Sequence, residues 1–153
     1  MDIYVDGDSC PVKEEVYRLA LRHDIKVLVV SHGPLHVPAR GGIEGVRVRK
    51  GFGATDDWIA EHAEEGDIVV TADIPLADRC LKKRARVLSP NGQVFTEASI
   101  GEALATRELM EQLRQMGAVT GGPATFAPAD RSRFLARLGE AIHAAKQTRA
   151  SGT

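Results

Sequence analysis

The chain has 153 residues, the size of one compact domain that can bury a core without disulfide or metal staples. Charged residues make up 27% and the apolar set 43%, ordinary globular proportions that exclude a disordered, collagen-like or coiled-coil chain. With 20 Lys plus Arg against 21 Asp plus Glu the net charge is −1, so no overall basic field holds a polyanion nonspecifically and any nucleic-acid contact must be local.

Ile3, Tyr4 and Val5 form a short apolar run that stops at Asp6, Gly7, Asp8, Ser9, Cys10 and Pro11, which reads as a buried strand opening onto a loop. Val12, Val16, Leu19 and Ala20 then recur at helical spacing. Pro11 near the start and Glu14 and Glu15 in the first turn, where the helix dipole favours negative charge, predict a helix over 11–23. Ile25, Val27, Leu28, Val29 and Val30 do not alternate with polar residues, as expected of a strand covered on both faces, and strand, helix, strand implies a parallel pair. Residues 31–42 carry two prolines and three glycines and read as a loop, followed by an alternating edge strand at Val46 to Arg49.

Thr55, Asp56, Asp57, Trp58 and Ile59 resemble a capped helix start, with Gly66 as the stop. Ile68, Val69 and Val70 are the next buried strand, which ends at Ala72 and Asp73. Pro75 starts a helix whose buried stripe is Leu76, Ala77, Cys80 and Leu81. Val87 and Leu88 make a further strand, Pro90, Asn91 and Gly92 a turn, and residues 93–96 a short returning arm. Ile100, Ala103, Leu104, Leu109, Leu113 and Met116 predict a long helix closed by Gly117, and Phe134, Leu138, Ala141, Ile142 and Ala145 a last one, with a polar loop at Thr120, Gly121, Gly122 and Pro123 between them. The order predicts a three-layer α/β/α fold around a mainly parallel sheet, as one domain over 1–146 with a flexible tail over 147–153.

Cys10 and Cys80 belong to no CxxC pair and are too few for a disulfide framework. No secretion signal opens the chain, and no apolar run reaches the ~20 residues a membrane span needs. These features predict a soluble cytoplasmic protein of undetermined oligomeric state.

In open parallel sheets, ligands bind beyond the carboxyl ends of the strands, and here those positions are acidic. Asp6 and Asp8 end the first strand, Asp73 follows the strand ending at Val70, and Asp56 and Asp57 open the helix between. Such like charges repel unless a cation sits among them, and hard oxygen ligands select Mg²⁺ or Mn²⁺. The ion suits phosphoryl transfer or phosphodiester hydrolysis. The competing reading is that Asp8, Asp56 and Asp73 are helix caps worth ~1 kcal/mol each. Asp6 stands apart, because capping does not require an acid that ends the strand and a second one two positions on.

The five histidines show no metal spacing with the cysteines, which speaks against zinc. Cys10 lies at a helix start that favours a thiolate, although lone cysteines are more often inert packing. Arg40, Arg47, Arg49 and Lys50 form one basic cluster, and Arg79, Lys82, Lys83, Arg84 and Arg86 another. Either could grip a phosphate backbone or simply be a solvated face.

The segments IYVDGDSCPVKEEVYR, TDDWIAEHAEEGDIVVTADIPLADRCLK, SPNGQVFTEASIGEAL and TGGP, in that order, resemble the YaiI/YqxD family of small bacterial proteins. The resemblance covers Met1 to about Ile142 and implies a grouping with PIN-like domains, whose members include Mg²⁺- or Mn²⁺-dependent ribonucleases. It implies catalytic roles for Asp6, Asp8 and Asp73, metal-holding roles for these with Asp56 and Asp57, and phosphate or supporting contacts from Ser31, Thr71, Thr120, Gly121 and Gly122. The chain departs from the family pattern at Gly7 and Ser9, where alanines are common, at Gly53, where an acid is frequent, and at His32, where Asn is. The leading expectation is a metal-dependent nuclease or phosphodiesterase acting on RNA. A nonenzymatic PIN-like binding module with a structural ion or helix-capping acids comes second. A haloacid-dehalogenase-like phosphatase with Asp6 as nucleophile and Asp8 as acid/base comes third, since the chain is short for that fold and has no convincing later Lys motif.

Overall fold

The structure, a computed structural model, describes residues 1–8, 10–34, 36–49, 51, 53–118 and 126–151. In chain order these form β1 (Asp2–Asp6), α1 (Lys13–His23), β2 (Lys26–Ser31), β3 (Ile43–Arg47), α2 (Ala54–His62), β4 (Ile68–Val70), α3 (Ile74–Lys82), β5 (Arg86–Leu88), β6 (Val94–Phe95), α4 (Glu97–Gln115) and α5 (Pro128–Ser151). The strands make one six-stranded sheet in the order β3-β2-β1-β4-β5-β6, in which the β5–β6 pair is antiparallel and every other pair parallel. The chain first builds from β1 outward to β3, then returns to set β4 on the other side of β1. The strand order therefore reverses between β1 and β4, the position where such sheets leave a crevice beyond their carboxyl ends.

Alternation along each strand divides the core between two layers of helices. Ile3, Val5, Val27, Val29, Ile68 and Val70 pack with Val12, Val16 and Ala20 of α1 and with Phe134, Leu138 and Ile142 of α5. Tyr4, Leu28, Val30, Val69 and Val87 face Ile59 of α2, Leu76, Ala77 and Cys80 of α3, and Ile100 of α4. Burial on both faces accounts for the unbroken apolar runs, because neither face has room for a polar residue. The architecture is the expected three-layer α/β/α sandwich.

Four local differences from the sequence reading have physical causes. β3 starts at Ile43, earlier than the expected edge strand, because Ile43 is drawn into the core and Gly42 accepts a hydrogen bond from Val27 N. The N-cap of α2 is Gly53 at φ 75 with no side-chain cap, so Thr55 sits inside the helix and its hydroxyl is used elsewhere. In α4, opened by a capping box of Thr96 and Ser99, Ile100 alone is buried, while Leu109 and Met116 are exposed. Helix α5 continues to Ser151, through residues 147–151 of the segment read as a tail, a stretch with no Gly or Pro.

Gly92 fixes how the β5–β6 turn meets α5. It has φ 89, and a Cβ there would lie 2.7 Å from Arg133 Cγ and 2.9 Å from both the Arg133 carbonyl carbon and Phe134 N. Gly66 has a similar φ of 87 but open space around the missing Cβ. Gly66→Ala should cost ~1–2 kcal/mol, the left-handed backbone penalty alone. Gly92→Ala should cost ~2–4 kcal/mol, because overpacking against α5 is added. Urea melts of the two variants against the parent check the difference, and equal costs would mean that the turn does not brace α5.

Candidate functional site

The crevice at the strand-order reversal is a cleft of about 390 Å³, and Asp6, Asp8, Asp56 and Asp73 line it together with His32 and Thr55. Asp6 is there because β1 ends with it, Asp73 because α3 begins with it after β4, and Asp56 because the first turn of α2 packs over the same end of the sheet. Asp8 sits in the loop that leaves β1. Gly7 lets this loop hug β2: its N–H donates to Val30 O, and a Cβ would lie 2.8 Å from Val29 Cγ1 and 3.0 Å from Val30 O. Gly7 thus occupies a position with no space for a methyl group.

The four carboxylates have different surroundings. Asp8 accepts hydrogen bonds from Ser31 Oγ and His32 N at Oδ1, and from Thr55 Oγ1 and the His32 ring at Oδ2. Burial alone would raise the Asp8 carboxyl, but these bonds outweigh it and hold it down at about 2. Its lone pairs are engaged, so Asp8 ties β2 and α2 to the β1 loop instead of presenting free oxygens to a cation. Asp73 caps α3 by accepting from Leu76 N at 2.9 Å, which is the cap reading of that residue, and it lines the cleft as well. Thr71 joins two acids: its hydroxyl donates to Asp6 Oδ2 at 3.3 Å and accepts from Asp73 N at 3.0 Å.

Asp6 and Asp56 lack such compensation. Burial pushes the Asp6 carboxyl up and the charges of Asp8 and Asp73 add to it, against opposing hydrogen bonds from the Asp8 backbone and Thr71. Burial also raises Asp56, and with the neighbouring charges of Asp73 and Asp6 it reaches about 6, with Arg79 opposing only weakly. Asp57 does not join them. It points outward, 59% exposed at the side chain, and pairs with Arg79 at 2.8 Å, outside the cleft that Asp56 lines. Among the described residues, no group of three or more His, Cys, Asp or Glu is gathered closely enough to cage a single ion. Thr120, Gly121 and Gly122 lie outside the described residues, as do Ser9 and Lys50.

The sequence reading missed His32 and the role of Thr55. His32 was judged by its spacing to the cysteines, whereas the useful signal is its place one residue beyond β2, at the same sheet edge as the acids. The second basic cluster is largely consumed by its own contacts: Lys82 with Asp78, Arg84 with Glu65, and Lys83 on the carbonyls of Ala60 and Glu61 at the end of α2. Arg47 and Arg49 are exposed at the carboxyl end of β3, with Arg47 in register with Ser31. Cys10 is no reactive thiol, since burial pushes it up to about 11.

The family model described as "Uncharacterized BCR, YaiI/YqxD family" matches residues 4–144. A UPF0178 protein of Rhodopseudomonas palustris (strain BisB5) is 55% identical over 97% of this chain and 91% of its own length. The UPF0178 protein RC1_2062 of Rhodospirillum centenum is 52% identical over 97% of this chain and 99% of its own. No solved structure matches the chain.

The crowding of Asp56 has a pH signature. Its folded carboxyl is raised to about 6 from the ordinary 3.8, so the folded state holds a proton that the unfolded chain releases, and this contribution to stability is lost as pH rises between those values. In EDTA, Asp56→Asn should therefore be more stable than the parent at pH 8, with the difference vanishing below pH ~4. Denaturant melts at the two pH values check this, and a variant less stable than the parent at pH 8 would show that Asp56 is not repelled.

Proposed function

The chain belongs to the YaiI/YqxD family, and we propose that its cleft holds Mg²⁺ or Mn²⁺ and hydrolyses phosphodiester bonds in RNA. The observation that carries this reading is geometric: Asp6, Asp56 and Asp73 line one cleft at the strand-order reversal, where burial and one another's charges raise the carboxyls of Asp6 and Asp56, and among the described residues none of the three is in a salt bridge. Their donor chemistry fits a hard cation. Mg²⁺ is usually bound through one or two carboxylates plus water and substrate phosphate, so a full protein cage is not required. Asp56 and Asp73 would hold it with Asp6 close by, while Asp8 stays with its four donors. A cation there supplies Lewis-acid polarisation of a phosphoryl oxygen and acidifies a water.

The chain's own residues do the rest. Thr71 keeps Asp6 and Asp73 in fixed relation, and Asp8 clamps the start of α2, and with it Asp56, onto the sheet edge. Arg47 and Arg49 offer positive charge at the same edge to an approaching phosphate backbone. RNA as the substrate and the PIN-like grouping come from the family resemblance and belong to this proposal, as does a cytoplasmic location, which the free thiols of Cys10 and Cys80 fit. No helix of the described residues is long and apolar enough to cross a membrane.

The second reading, a binding module, is favoured by one observation: Asp73 does cap α3. Stability separates the two. At ten times its dissociation constant, one bound ion stabilises the parent by ~1.4 kcal/mol. Asp73→Ala should lose the cap, ~1 kcal/mol, and should also gain much less from Mg²⁺ at constant ionic strength. An equal Mg²⁺ increment in both would remove Asp73 from the site. With Mn²⁺ or Mg²⁺ the parent should cleave single-stranded RNA and Asp6→Asn should lose most of that cleavage while remaining folded. Equal cleavage would identify a contaminating ribonuclease, and ion binding without turnover would favour the module. A phosphoaspartate trapped on Asp6 would identify a phosphatase instead.

A further inference from the structure

His32 lines the cleft with just over half of its side chain exposed, and its Nδ1 lies 2.8 Å from Asp8 Oδ2. Its backbone N–H donates to the other oxygen of the same carboxylate, so the residue is held at two points. The partner decides the state of the ring. Asp8 is a carboxylate already gathering donors from Ser31 and Thr55, and an ionised carboxylate can only accept. The proton must therefore sit on Nδ1, which leaves Nε2 with a bare lone pair whenever the ring is neutral. Among the described residues, no hydrogen bond engages Nε2.

We propose that His32 is the proton acceptor of the cleft, with Asp8 as the positioning residue that fixes its tautomer and supports the imidazolium it becomes. The proposal rests on the phosphodiesterase reading above. As the oxygen of a water bonds to phosphorus, its O–H bond breaks and that proton passes to His32 Nε2. The bond from phosphorus to the leaving oxygen breaks with its electron pair, and that oxygen takes a proton from solvent. His32 then returns its own proton to solvent, so the ring is regenerated. No oxidant or further reactant is needed. The arrangement parallels the general rule that a base works best when a third group orients it and stabilises its charged form.

Two measurements on the full chain test this. In ¹⁵N spectra of the imidazole at pH 8, His32 should carry its proton on Nδ1, and Asp8→Ala should shift the ring toward the Nε2–H form. A parent ring protonated on Nε2 overturns the proposal whatever the activity. His32→Asn can still donate to Asp8 but offers no base, so it should fold as the parent does, bind Mn²⁺ equally well, and lose ~10²-fold in the rate of RNA cleavage. His32→Ala should regain part of that loss when free imidazole is added, which a merely structural role would not allow. An active parent with an equally active His32→Asn overturns the role of His32 alone, whereas a parent inactive with every metal overturns the phosphodiesterase reading and this role with it.

Discussion

Strands β1, β2, β4 and β5 are covered by helices on both faces, and this double burial confines the chemistry of the molecule to the ends of its strands. A charged side chain along their length would be desolvated with no partner, at a cost of several kcal/mol. Charge therefore collects where the strands stop. Asp67, at the entrance to β4, has a backbone donor on each oxygen, Asp2 N on one and Glu64 N on the other. The carboxyl edge differs in that its donors are unevenly shared, with four of them on Asp8.

The contrast between Asp8 and Asp56 shows what that imbalance means. Both are strand-edge carboxylates of one cleft, yet hydrogen bonds hold one at about 2 while burial and neighbouring charge lift the other to about 6. Two acids of one cleft are thus held in opposite ways. Asp8 is structural and orienting, because it joins Ser31, His32 and Thr55 into one network across three elements. Asp56, Asp73 and Asp6 crowd the same cleft with like charge, and the cap that Asp73 gives α3 holds that residue in place.

Much of this was legible in the sequence. Unbroken apolar runs ending in Asp6 and, through Thr71 and Ala72, in Asp73 disclosed buried parallel strands, and the strand-end rule put their acids on one edge. Ser31 and Thr71 came from the family resemblance, and each stands at the end of such a run. The difference between Asp56 and Asp57 was not legible, because adjacent helix residues point about 100° apart and only the docking of α2 decides which one faces inward. His32 and Thr55 were hidden for a related reason: their partner Asp8 is 24 and 47 residues away in sequence, a separation that no local pattern encodes. The apolar positions of α4 gave the right helix but not its burial, since periodicity reports a face and not what covers it.

The central claim is that three of the carboxylates at the strand-order reversal are held together against their own repulsion in order to receive a cation. A crystal structure of the protein soaked in Mn²⁺, with the ion located by its anomalous scattering, tests this most directly. The account predicts a Mn²⁺ in the cleft with oxygens of Asp56 and Asp73 in its coordination sphere, Asp6 at hand directly or through one water, and Asp8 still on Ser31, His32 and Thr55. A cleft without Mn²⁺ at saturating concentration, or an ion bound by Asp8 with its three partners released, would contradict it.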